Sequence, residues 1–209
     1  MERLLALTDG VVAIALTLLV FQLKIPSHLA DARSASQLAD QLGRTAGQLI
    51  SYGISFYVIA QFWLAHHRVF RLVAGHQEGL AWWNFAFLLT ITLMPFTSNL
   101  LGAYGTNPLA VDIFAANLLL ASLTSQATIF YGRRRGLLVT KGDAGTALLR
   151  EMRTRGVLMA LIIAASLGLA WVDTGAAEYC WLLMIAAPRA AARWSAHRDR
   201  PGSDAGDAA

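Results

Sequence analysis

The sequence predicts an all-α integral membrane protein, a six-helix bundle with both termini cytoplasmic. Three observations carry that expectation. Of 209 residues, 56% are apolar and only 14% charged, where a soluble domain carries roughly a quarter. Six apolar stretches approach the ~20 helical residues needed to cross a bilayer. The 17 Lys and Arg fall between those stretches, dense and sparse by turns, as charges that set membrane topology do.

The six expected helices lie near 4–25, 46–70, 79–101, 109–131, 155–172 and 177–193. Residues 1–30 also admit a secretory signal, with Arg3 as its charged start and the small residues around Ala30 and Ala32 as its cleavage site. Asp9 interrupts that pattern and the apolar run is long for a signal core, which favours a retained helix. The polar stretch 27–44 suits a short surface helix. Residues 132–154 form the main cytoplasmic loop, and the tail "SAHRDRPGSDAGDAA" lacks apolar periodicity and is expected to be disordered. The chain thus divides into a membrane domain, 1–194, and a cytoplasmic tail, 195–209.

Orientation follows from counting positive charges. With the N-terminus inside, Arg3, Arg68, Arg71, the cluster from Arg133 to Arg155 and the four arginines from Arg189 onward total 14 on the cytoplasmic side. Only Lys24, Arg33 and Arg44, 3 in all, fall outside. A net charge of +4 is therefore a topology signal, and no nucleic-acid partner is expected. The single cysteine, Cys180, makes no internal disulfide, and no Cys/His spacing suits a metal. No cofactor is expected. His66-His67 is not a zinc-protease motif, and no nucleophile elbow or phosphate loop occurs, so enzymatic function is not expected.

The first helix has two readable features. Each helical residue turns the chain by about 100°, so Arg3, Leu7, Gly10, Ile14, Thr17, Phe21 and Lys24 share one stripe. By periodicity alone that stripe reads first as a helix-packing seam. Asp9 points about 140° away from Ile14. A charge at that depth costs at least ~2.5 kcal/mol unless it is paired or wetted. Donors at the same leaflet come from "FWLAHHRVFR", with Trp63, His66 and His67, and from "LAWWNFAF", with Trp82, Trp83 and Asn84. The tryptophans also suit an interfacial belt.

Arg3, Asp9 and Gly10 followed by "AIALTLLV", then "WLAHHRVF", then "WWNFAFLLTITLMPFTSNLLG", closely resemble prokaryotic members of the transmembrane protein 175 family of lysosomal and bacterial potassium channels. The match runs from Arg3 to about Gly105. The family signature Arg-x-x-x-Phe-Ser-Asp reads here Arg3, Leu7, Thr8, Asp9, with Leu7 in place of the aromatic and Thr8 in place of the serine. The resemblance implies a potassium-permeable cation channel without the usual filter loop, in which four six-helix subunits place their first helices around a central pore. It implies a constriction at Ile14, with Thr17 and Phe21 further along the pore, Gly10 at the mouth, and a polar network of Arg3, Thr8, Asp9, His66, His67, Trp82, Trp83 and Asn84. The permeant ion would be K⁺, the partners further copies of the chain and the bilayer, and the location a bacterial plasma membrane.

Two alternatives remain at this point. Thr17 also suits a hydroxyl bond to a carbonyl one turn back. Asp9 with His66 or His67 also suits the proton relay of a secondary transporter, although the segments at mid-membrane depth are unbroken and no internal repeat is evident.

Overall fold

A computed structural model describes residues 2–23, 34–73, 77–138 and 142–181. Helix α1 runs Glu2–Leu18 and tightens into a 3-10 turn at Leu19–Gln22. Five further helices follow: α2, Ala35–Arg44; α3, Ala46–Arg71; α4, Glu78–Tyr104; α5, Pro108–Arg134; and α6, Gly142–Leu169. Residues 174–181 are helical again. Among the described residues the only strand-like pairing is one bridge between Val73 and Leu138. Among the described residues five segments are long and apolar enough to cross a membrane: Glu2–Gln22, Ala46–Arg71, Glu78–Tyr104, Pro108–Arg134 and Gly145–Leu169. Most of the expected sixth, 177–193, and the whole tail lie outside the described residues.

Local chemistry sets the helix ends. Ser34 Oγ accepts from the Gln37 amide at 3.3 Å and opens α2, so the expected surface helix occupies part of 27–44. Asn107 caps α5 by accepting from the Leu109 amide at 3.0 Å, with Pro108 in the first turn where its missing N–H costs nothing. Gly136, at φ 65°, ends α5. The amide of Leu137 donates to the Gly132 carbonyl at 2.9 Å and that of Gly136 to Arg133 at 3.1 Å, the paired bonds of a glycine-terminated helix. Asp173 Oδ1 accepts from the Ala176 amide at 3.0 Å and starts the segment at 174.

One expectation needs correction. Residues 132–154 are not one loop, because α6 begins at Gly142 rather than near 155. The sequence from Ala147 to Arg155 is rich in strong helix formers. Its Leu148, Leu149 and Met152 pack on a second apolar cluster with Val69, Phe70, Leu80 and Ile129. Charge density disguised an amphipathic helical extension as a loop.

In the main core, Val12, Ala15 and Leu19 meet Ile54, Val58, Ile59 and Phe62 of α3 and Phe87, Ile91 and Met94 of α4. Phe114, Leu118 and Ile163 continue it into α5 and α6. Helices in lipid gain little from apolar burial, so small and hydrogen-bonding residues help hold them together. Ser55 Oγ donates to Ser98 Oγ at 2.7 Å across α3 and α4, and Asn117 Nδ2 donates to the Thr90 carbonyl at 3.1 Å across α5 and α4. Helix α4 is the hub, packed by α1, α3 and α5, while α6 packs chiefly on α5. Helix α1 therefore sits at the bundle's edge, touching chiefly α3 and α4.

Candidate functional site

The edge position gives α1 two unlike faces. Thr8, Val12, Ala15 and Leu19 are buried against α3 and α4. On the opposite side, about 180° from Val12 by helical arithmetic, Arg3, Leu7, Gly10, Ile14 and Thr17 are all exposed. Ile14 is 59% exposed and Phe21 79%. The stripe read from the sequence is thus not the seam that packs α1 into its own bundle.

Phe21 departs from the arithmetic. It lies in the 3-10 turn, where each residue advances about 120° rather than 100°. Over three residues its side chain is rotated by roughly 60° from the position a continuous α-helix would give. Lys24, at the end of the expected stripe, lies outside the described residues. The Thr17 hydroxyl donates to the Ile14 carbonyl at 2.8 Å. That spends its proton locally and leaves oxygen lone pairs on the exposed side.

The polar residues split into two separate sets. Asp9 lies about 60° from Val12, on the flank of the packing face, and its Oδ1 accepts from the Trp63 indole at 2.7 Å. His66 and Asn84 do not hydrogen-bond to the aspartate. They join Thr8 in a buried chain: His66 Nε2 lies 2.6 Å from Asn84 Oδ1, Asn84 Nδ2 donates to Thr8 Oγ1 at 3.0 Å, and Thr8 Oγ1 donates to the Leu4 carbonyl at 2.9 Å. Each of these bonds has one donor and one acceptor when His66 carries its proton on Nε2, an assignment made from the network. All the dipoles then point one way and reinforce one another. Phe70, 4.2 Å away centroid to centroid, and Phe87, 5.1 Å away, stack on the imidazole.

The other expected network residues stand apart. The His67 ring lies 5.6 Å from that of Trp63, and its Nδ1 is buried without a partner among the described residues. Trp82 is 72% exposed with its ring edge-on to Phe85, and Trp83 is 39% exposed. Neither indole N–H finds an acceptor among the described residues, as befits an interfacial belt. Arg3 is exposed. No group of three potential metal ligands occurs among the described residues.

Sequence reasoning missed one polar bridge. Arg155, read as a topology charge, donates through Nη2 to Gln61 Oε1 and ties α6 to α3. The signal was available, since a glutamine and an arginine inside apolar helices rarely stay unpaired.

These features define a multi-pass α-helical membrane protein whose first helix is anchored by polar bonds on one side and bare on the other. Residues 3–95 match the family model described as "Endosomal/lysosomal potassium channel TMEM175". A potassium channel of Streptomyces collinus is 31% identical over 176 residues, 82% of each chain. One of Chamaesiphon minutus is 29% identical over 195 residues, covering 88% of this chain and 91% of the relative. The crystal structure of a lysosomal potassium-selective channel TMEM175 homolog from Chamaesiphon minutus superposes with a TM-score of 0.75 at 24% identity, covering 91% of this chain and 97% of that one. The chain belongs to the TMEM175 family, a family of ion channels rather than enzymes.

Proposed function

We propose that this protein is a potassium-permeable channel of a bacterial plasma membrane. Four six-helix subunits, with both termini cytoplasmic, surround one pore lined by their α1 helices. The observation that carries the reading is the bare face of α1: Gly10, Ile14 and Thr17 are exposed opposite the residues that pack α1 into its bundle, and Phe21 is exposed in the 3-10 turn that follows. Fourfold assembly about that face would bring four Ile14 side chains together as an apolar ring. Such a ring gates by dewetting and offers no oxygen to a dehydrated ion. Selectivity would then rest on Thr17, whose oxygen lone pairs remain free, and is expected to be modest. Gly10 widens the mouth, and Asp9 with the Thr8–Asn84–His66 chain fixes the helix from behind.

The transporter reading is not favoured. Asp9 is held by an indole, which does not titrate, His66 by an amide, and His67 Nδ1 has no partner among the described residues, so among those residues no carboxylate–imidazole hydrogen bond joins Asp9 to either histidine.

The test is K⁺ and Na⁺ flux from liposomes holding the purified protein, wild type beside Ile14→Asn, with and without a proton gradient. An asparagine ring wets the constriction, so K⁺ flux is expected to rise at least about tenfold, with K⁺ carried faster than Na⁺ by wild type. Unchanged flux in the variant would remove Ile14 from the constriction. Flux that requires the proton gradient would make the protein a carrier.

A further inference from the structure

A second site lies where α5 meets α6, at the end of the bundle where the start of α1 also packs. The last turn of α5 and the first turns of α6 border an open cavity of about 380 Å³ lined by Arg133, Leu138, Thr146, Leu149, Arg150 and Arg153. Three guanidiniums from two helices face one space, and among the described residues no carboxylate lines it. Arg150 and Arg153 are three residues apart and so share one face of α6. Arg133 comes from the last turn of the preceding helix, α5.

The wall of this cavity is built rather than incidental. The glycine cap at Gly136 turns the chain back, and Leu138 crosses Gly132 so closely that a Cβ there would meet its side chain at 3.2 Å. The Val73–Leu138 bridge pins the returning segment to the end of α3. The other arginines of the run are otherwise engaged: Arg134 lies 5.8 Å over the Phe130 ring and Arg135 5.6 Å over Tyr131. Only Arg133 of "RRR" lines the cavity.

Depth identifies the ligand's source. A helix of 28 residues such as α6 is about 42 Å long, against a hydrocarbon core of about 30 Å. Its first turns therefore reach the headgroup layer, with Leu138 and Leu149 offering an apolar border to the cavity. Guanidinium forks match phosphate oxygens, and basic pockets between membrane helices bind anionic headgroups. We infer that the cavity among Arg133, Arg150 and Arg153 binds the phosphate of an anionic phospholipid from the adjoining leaflet.

Native mass spectrometry of the purified full-length protein tests this, with phosphatidylglycerol, phosphatidylcholine or inorganic phosphate added separately. Wild type should retain phosphatidylglycerol over phosphatidylcholine. The pair Arg133→Gln and Arg153→Gln should lower that retention about tenfold, and the lysine pair at the same positions should restore most of it. The pair Arg134→Gln and Arg135→Gln removes the same charge next door and should stay within about twofold of wild type. Equal loss in both glutamine pairs would overturn the proposal, because a diffuse basic surface would then suffice. So would equal retention of the two lipids. Binding of inorganic phosphate that depends on Arg133 and Arg153, without any such dependence for lipid, would assign the cavity to a soluble anion and overturn the lipid.

Discussion

Asn84→Leu is expected to lower stability by about 3 kcal/mol, close to 6–12 °C in thermal midpoint for a chain of this size. The residue is fully buried, and its amide both accepts from His66 and donates to Thr8. Hydrogen bonds between membrane helices are worth only about 0.6 kcal/mol on average. The larger part comes from stranding the His66 N–H, since an unsatisfied buried donor costs about 1–3 kcal/mol. Adding His66→Phe removes that stranded group and extends the stack with Phe70 and Phe87. The double variant should therefore regain at least about half of the loss. Thermal midpoints of the two single variants and the double, read as a cycle, decide the matter. Strictly additive losses would mean that His66 and Asn84 do not act as one unit.

Phe114→Ala is expected to cost about 3–5 kcal/mol. The ring is fully buried and lies 4.9 Å from that of Trp181, centroid to centroid. Trp181, 1% exposed, belongs to the helical stretch after α6 and donates through its indole to Ser166 Oγ at 3.0 Å. Lipid cannot enter so enclosed a space, so the void forfeits packing contacts whatever solvent surrounds the bundle. Thermal unfolding in detergent, followed by circular dichroism, checks the size of the effect. A loss below about 1 kcal/mol would show that residues 174–181 do not depend on α5 for their seat.

The membrane-spanning helices α1, α3, α4 and α5 were legible because twenty-residue apolar runs have few competing explanations in a chain this poor in charge. The ends were less so. At α6 the rule that reads charge as loop failed, because "LLREMRTR" is amphipathic and buries one face while Arg150 and Arg153 stay at the surface and Arg155 turns inward to Gln61. The stripe on α1 was visible as a period, but period does not say which face packs. Only the burial of Thr8, Val12 and Ala15 assigns the stripe to the bare side. The polar residues were legible as types and not as pairs. Asp9, Thr8, Trp63, His66 and Asn84 were all within reach of one another in the sequence reading, and a one-residue step between Thr8 and Asp9, about 100° around the helix, sends them to different partners. The exact direction of Phe21 was not legible because helical arithmetic assumes an unbroken α-helix, and the tightening at Leu19 has no marker such as glycine or proline.

The hub position of α4 has a mechanical consequence. Helix α6 reaches α1 by two routes: through α5 and α4, and through the Arg155–Gln61 bond to α3, which itself packs on α1. Stiffnesses in parallel add, so α1 yields to a push applied at α6 only as far as both routes yield together. Proline at position 95 removes one rung from α4's own ladder, which softens one route and leaves the other whole.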